Sequence, residues 1–293
     1  MSSLTQYGGK KKIQKAIISG PSHIEFIHIK KECGMQVVIL AGGYGTRLSE
    51  ETGKIPKPMV TIGEIPILLH IMSYYASFGH KHFTIALGYK GEVIKDYFNN
   101  LSLRNSDLSF NLGTGNTQIL RATRSIDWKV DLIDTGIDTQ TGGRILKLEK
   151  FLDDTFMLTY GDGLSNVNLD QLLDHHLKSG KTATVTAVRP PARFGSLLMS
   201  GDLVTSFSEK RPQDAGWING GYFCMTKNIL KMIEDESYSL ESTPMEKLVF
   251  NSELNAFRHE GFWQGMDTIR DRQLLEELWR SKSAPWLINE GLL

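Results

Sequence analysis

Residues 36–58 leave little choice of fold. Val37 to Leu40 is an uninterrupted apolar run that breaks at once into Gly42, Gly43 and Gly45, then Thr46 and Arg47, with Lys57 further on between Pro56 and Pro58. A short continuous apolar run ending in turn residues reads as a strand buried on both faces, as inside a parallel sheet. Glycines permit positive φ and place no Cβ between backbone and ligand, so consecutive N–H groups can turn towards one anion. Arg47 adds a planar fork of donors, Thr46 a hydroxyl and Lys57 a mobile point charge. These parts suit a triphosphate, although three glycines after a strand also serve as a plain tight turn.

The two best-known phosphate loops do not fit. A Walker loop ends in Gly-Lys-Ser/Thr where this chain reads Gly45-Thr46-Arg47, and a dinucleotide loop has its third glycine where Leu48 stands.

Beyond the loop the pattern alternates. Ile67, Leu68, Ile71, Met72 and Tyr75 recur at helical spacing after Pro66, with His70 among them as a packed or surface residue. Phe83 to Leu87 reads as a strand and Gly91 to Asn99 as a helix. Strands follow at Val130 to Ile133, Phe156 to Tyr160, Ala183 to Val188, Leu203 to Phe207 and Trp217 to Phe223. Leu254 to Arg258 reads as an edge strand, with helices at Thr141 to Lys150, Leu169 to Leu177, Pro244 to Phe250 and Thr268 to Arg280. Repeated βα alternation predicts an α/β fold: a Rossmann-like mixed, mostly parallel sheet flanked by helices. Leu101 to Trp128 is polar and alternating, which adds a small antiparallel appendage. Residues 1–34 have no sustained period and read as a loosely ordered tail before a single domain at 35–293; a natural start at Met35 is the other reading.

Composition excludes several classes of partner. Lys plus Arg equals Asp plus Glu, 33 each, so the overall charge points neither to nucleic acid nor to an anionic membrane. No apolar run approaches a bilayer span. The two cysteines, Cys33 and Cys224, form no C-x-x-C pair and fit reduced thiols in a cytoplasmic protein.

Several further groups are candidates for chemistry. The small-residue turn at Thr141, Gly142 and Arg144 opens a helix, where free N–H groups can hold a base edge or phosphate, or form an ordinary cap. Asp162 stands between glycines at the carboxyl end of a strand, with room for a metal and its waters. Glu209 and Asn219 suit sugar hydroxyls and Lys210 a sugar phosphate, although a Glu-Lys pair is equally a surface ion pair. Asp267 reads as a metal ligand or as the acidic N-cap of the last helix.

The motif L-A-G-G-x-G-T-R-L followed by P-K-P resembles the signature of the sugar nucleotidyltransferases, which join a sugar 1-phosphate to a nucleoside triphosphate and release pyrophosphate. From Met35 to about Trp286 further stretches match one branch of that family, which makes CDP-glucose from CTP and glucose 1-phosphate. They include Ser49-Glu-Glu-Thr52, Asp134-Thr-Gly136, Thr141-Gly-Gly-Arg144, Tyr160-Gly-Asp-Gly163, Arg193-Phe-Gly195, Glu209-Lys210, Ile218-Asn-Gly-Gly221, Phe262-Trp263 and Met266-Asp267.

The resemblance implies a nucleotide-diphospho-sugar transferase fold. It assigns Arg47 and Lys57 to the triphosphate and the departing pyrophosphate, and Leu40, Ala41, Gly42, Gly43, Gly45 and Thr46 to the nucleotide, with Thr141, Gly142 and Arg144 at its base. Tyr160, Gly161, Glu209, Lys210, Asn219 and Gly220 fall to the glucosyl phosphate, and Asp162 and Asp267 to Mg²⁺. It also implies a homo-oligomer, a hexamer being one form, and a product used for the deoxysugars of surface polysaccharides such as O-antigen. Departures are Lys54-Ile55 before P-K-P, where the family has Val-Lys, and Gly265, where it has proline. The same chemistry with UTP, dTTP or another sugar 1-phosphate, and an inactive sugar-nucleotide-binding scaffold, are the alternatives.

Overall fold

The computed structural model describes residues 34–48, 52–122, 126–190, 196–208 and 216–288. The chain begins its core with β1 (Gln36–Leu40), followed by the short strands β2 (Thr61–Ile62) and β3 (Ile65–Pro66) and helix α1 (Ile67–Ser77). Then come β4 (His82–Leu87), α2 (Gly91–Asn99), α3 (Leu101–Arg104), β5 (Ser106–Asn111), β6 (Asn116–Ala122), β7 (Lys129–Asp134) and α4 (Thr141–Lys147). The second half runs β8 (Thr155–Tyr160), β9 (Gly163–Ser165), α5 (Leu169–Ser179), β10 (Ala183–Val188), β11 (Ser196–Ser200), β12 (Leu203–Ser208) and β13 (Ile218–Thr226). It ends with α6 (Thr243–Phe250), β14 (Leu254–His259), β15 (Trp263–Gly265) and α7 (Ile269–Arg280).

Seven strands form the central sheet in the order β14-β10-β13-β8-β1-β4-β7. β1 pairs in parallel with both β4 and β8, β7 extends β4 in parallel, and β14 extends β10 likewise; β13 runs antiparallel between β8 and β10. The sheet is thus mixed and mostly parallel, as the alternation implied. Every residue of β1 is buried because strand alternation sends Val37 and Ile39 to one face and Val38 and Leu40 to the other, each face packing into its own apolar cluster.

α1 departs from the one-sided helix that its spacing suggests, being buried from Ile67 to Ala76. Its outer side is covered by the chain's end, where Trp286 is 1% exposed and donates through Nε1 to His70 Nδ1 at 3.3 Å. His70 is therefore a packed residue, its Nε2 lying 3.0 Å from the Ile62 carbonyl.

Two local expectations shift, and a third is met. α4 stops at Lys147 and gives way to a 3-10 turn over Glu149–Phe151, short of a continuous helix to Lys150. β12 pairs with β11 in a separate two-stranded ribbon and not in the main sheet. The antiparallel appendage is the β5–β6 hairpin, which exposes Phe110, Leu112, Ile119 and Leu120. The calls on residues 1–33, Ser49-Glu-Glu51, Arg193-Phe-Gly195, Glu209 and Lys210 lie outside the described residues.

Candidate active site

In a parallel sheet ligands gather at the carboxyl ends of strands where the winding reverses, and here β1 has β4 and β7 to one side and β8 to the other. A cleft of about 700 Å³ opens at that point. Leu40, Ala41, Gly42, Gly43, Gly45, Thr46, Lys57, Thr141, Arg144, Tyr160, Gly161, Asp162, Asn219, Gly220 and Asp267 all line it. The side chain of Arg47 is not among the described parts.

Two carboxylates and one ammonium meet at its centre. Lys57 Nζ lies 2.6 Å from Asp162 Oδ2 and 2.7 Å from Asp267 Oδ1. Burial by itself disfavours the lysine's charge, but the Asp162 and Asp267 carboxylates outweigh it and hold the pKa above its ordinary value of 10.5. Pro58 carries Lys57 to this spot: it packs so closely on Gly161 that a Cβ there would lie 2.9 Å from its Cγ. A small ribbon that the sequence did not announce joins the two aspartates. β9 pairs antiparallel with β15, Gly163 opposite Gly265, and Met266 N–H donates to the Asp162 carbonyl at 2.8 Å. The cap of α7 is supplied by Thr268 and Asp271 in a reciprocal capping box, so Asp267 is not that cap.

The glycine loop is shaped from beneath by Arg144. Its guanidinium, in a residue only 3% exposed, donates to the carbonyls of Leu87, Gly136, Gly42 and Ile137 and to Thr135 Oγ1. Those acceptors sit at or just beyond the carboxyl ends of β1, β4 and β7, so one side chain ties three strand ends together. The guanidinium passes so near that a Cβ on Gly42 would lie 2.3 Å from its Cζ and one on Gly88 would lie 2.5 Å from Nη1. Arg144, expected at the nucleotide base, thus spends both terminal nitrogens on four backbone carbonyls and one hydroxyl of the protein itself. Gly142 sits behind the wall, where a Cβ would meet the Tyr238 carbonyl at 2.7 Å. Gly45 has φ +64° and closes on Thr52, whereas Gly43 is exposed with no other group within 4 Å of where a Cβ would lie. Of the three glycines in the loop, Gly43 alone has a bare backbone that no packing requires, and it lines the cleft.

A second polar group spans the far wall. Tyr160 hydroxyl donates to Glu241 Oε1, Asn219 Nδ2 donates to the Tyr160 oxygen at 3.2 Å, and Thr141 hydroxyl donates to Glu241 Oε2 at 2.6 Å. Burial, then the Glu241 charge, pushes the Tyr160 hydroxyl far up, so it stays protonated. Burial also disfavours charge on Glu241, but hydrogen bonds from Ser239, Thr141 and Tyr160 outweigh it and hold the carboxyl below its usual range. Sequence reasoning missed Glu241 and Gly88; Glu241 lies in a polar stretch before α6 that carries no motif of its own.

As a cation site the centre offers two carboxylates. Among the described residues no cluster of three or more His, Cys, Asp or Glu is placed to hold a metal. Two hard oxygen donors already converging on one positive charge fit Mg²⁺, which binds through one or two carboxylates and keeps its other positions for water and phosphate.

The chain that builds this cleft is similar to several known proteins. A glucose-1-phosphate cytidylyltransferase of Salmonella typhi is 45% identical over 254 residues, covering 86% of this chain and 98% of that one. A mannose-1-phosphate guanyltransferase of Debaryomyces hansenii is 30% identical over 81% of this chain and 62% of its own. Among solved structures, HddC from Yersinia pseudotuberculosis is similar with a TM-score of 0.62 and 26% identity, over 84% of this chain and all of that one. The Nucleotidyl transferase family matches residues 36–268, from the first core strand to the N-cap of α7, and the chain belongs to that family.

Proposed function

We propose that the protein transfers a cytidylyl group from CTP to glucose 1-phosphate, giving CDP-glucose and pyrophosphate. The observation that carries the reading is Lys57 held at 2.6 and 2.7 Å from Asp162 and Asp267, in the cleft that the glycine loop also lines. The choice of CTP and glucose rests on the 45% identical Salmonella relative.

A phosphate oxygen of glucose 1-phosphate is ionised at neutral pH, so it attacks the α-phosphorus in line with the pyrophosphate leaving group and needs no general base. The protein's task is to position two polyanions and offset their charge. The bare backbone at Gly43 lets the triphosphate approach closely, with Arg47 and the ammonium of Lys57 serving the departing pyrophosphate. Asp162 and Asp267 would hold Mg²⁺, which supplies neutralisation of the phosphate charge. Tyr160 and Asn219 orient the glucosyl group.

The domain runs from residue 35 to the end of the chain, and its product feeds deoxysugars of surface polysaccharides. The exposed apolar hairpin β5–β6 supports a homo-oligomer, measurable by light scattering. No helix among the described residues is long and apolar enough to cross a membrane, and we place the protein in the cytoplasm.

Pyrophosphate release measured with CTP, UTP, dTTP and GTP against glucose, mannose and galactose 1-phosphates tests the reading. CTP with glucose 1-phosphate is expected to be fastest. Preference for another pair assigns the same chemistry to other substrates, and no release with any pair overturns the enzyme reading.

A further inference from the structure

Outside the pair proposed for the cation the cleft holds two more carboxylates, Asp138, which receives the Tyr44 hydroxyl at 2.8 Å, and Glu241. Its Oε2 receives Thr141 at 2.6 Å and also Ser239, and its Oε1 receives Tyr160. The donors come from the start of α4, the end of β8 and the segment before α6, so the carboxylate is placed by three separate parts of the chain.

Charge says what it does not bind. A fixed anion repels phosphates, so Glu241 faces a part of the ligand that carries none. A carboxylate has about four lone-pair sites and accepts only, and three donors are already in place, two of them on Oε2. The remaining capacity is on Oε1, beside Tyr160, whose proton is used on Glu241 and whose oxygen receives Asn219. The ligand group that completes this arrangement is therefore a neutral hydrogen-bond donor. Tyr160 and Asn219 belong to β8 and β13, across β1 from the loops that Arg144 gathers, which places Oε1 at the sugar end of the cleft.

We infer that Glu241 is a specificity-determining residue whose Oε1 accepts a hydrogen bond from a ring hydroxyl of the sugar 1-phosphate. This rests on the nucleotidyl transfer proposed above. Glu241 is exposed in the open cleft, so a bound sugar lacking that hydroxyl would cover the carboxylate and leave a lone pair unpaired, a form of rejection stronger than a missing apolar contact.

Calorimetric binding tests it without relying on turnover. Glucose 1-phosphate, a series of glucose 1-phosphates each lacking one ring hydroxyl, and CTP are titrated into wild type, Glu241→Gln and Glu241→Asp, with thermal melts confirming folding. Wild type is expected to bind one deoxy sugar about tenfold to a hundredfold more weakly than the parent, the loss typical of a hydrogen bond to a charged group. Glu241→Gln should bind the parent correspondingly weakly and no longer distinguish that analogue, with CTP affinity within about twofold. Unchanged sugar selectivity in Glu241→Gln, or loss of CTP affinity in place of sugar affinity, overturns the assignment. If neither variant folds, equal binding of every deoxy sugar by wild type overturns it. A wild type that binds sugar 1-phosphates with the expected selectivity but transfers nothing from CTP overturns the proposed reaction and leaves the Glu241 assignment standing.

Discussion

Lys57 Nζ lies 2.7 Å from Asp267 Oδ1 across 210 positions of sequence. The contact exists because Pro58 packs on Gly161 at the end of β8 while the β9–β15 ribbon brings the far end of the domain to the same place. Lys57→Ala removes the counter-charge of both aspartates and the group aimed at the leaving pyrophosphate. Turnover should fall by roughly two to three orders of magnitude, the usual cost of losing one electrostatic donor, while glucose 1-phosphate affinity changes far less. Stopped-assay kcat together with direct sugar binding separates the two effects.

The same pair carries a pH signature. Because the folded protein raises the Lys57 pKa above 10.5, its contribution to stability is complete below that value and is lost as pH rises through the folded-state pKa. The melting temperature of wild type relative to Lys57→Met should hold its margin at neutral pH and lose it only in alkali. A margin that disappears between pH 6 and 8 contradicts the ion cluster.

Asp162→Asn and Asp267→Asn keep shape and delete a charge. Each should raise the Mg²⁺ requirement by about tenfold or more, given the strength of short charge pairs near a protein surface. Acting as a unit, the two together should be little worse than the worse single change. Pyrophosphate release followed over a Mg²⁺ titration decides, and a wild-type curve for Asp267→Asn removes it from the metal site.

Gly42 and Gly43 are adjacent but serve different ends. Gly42→Ala puts a Cβ 2.3 Å from Arg144 Cζ, an overpacking expected to cost about 1–3 kcal/mol, seen as a lower melting temperature. Gly43→Ala meets no protein atom within 4 Å and should melt like wild type, yet raise the KM for CTP. Equal stability loss in both sinks the distinction.

Burial lowers the pKa of His70, His80 and His176 from 6.5 to about 4. All three are therefore neutral in the folded state, and His70 accepts from Trp286 in that form. The stability they support is complete above pH 6.5 and drains away as pH falls towards 4. Melting temperatures taken between pH 7 and 4 should decline, and less steeply in His70→Gln.

Local pattern made β1, β4, β7, β8 and β10 legible, since each is a short stretch rich in apolar residues bounded by turn or loop residues. The glycine loop and Asp162 could be placed at the cleft from residue type and position, whereas Asp267 read equally as a helix cap and only the family resemblance set it beside Asp162. What stayed hidden depended on distance in sequence. The β9–β15 ribbon pairs two three-residue segments too short for any period, and it alone explains why Asp162 and Asp267 meet. Arg144 reads in sequence as a cation near a helix start; only burial against Gly42 and Gly88 shows that its charge is spent inward. Glu241 owes its place to the 236–240 segment, where Gln140 and Gly143 N–H groups donate to Glu236 and Tyr238 carbonyls.

The guanidinium of Arg144 fills the space that side chains at Gly42 and Gly88 would need, and bonds the loops that carry both. These three positions are therefore tied in their tolerance to change. A smaller residue at 144 makes room for Cβ atoms at 42 and 88 but releases the loops, and a larger residue at 42 or 88 expels the arginine. A side chain at Gly43 meets no protein atom within 4 Å, whereas changes at 42, 88 and 144 compete for one space, and a glycine loop transplanted without its arginine arrives without its shape.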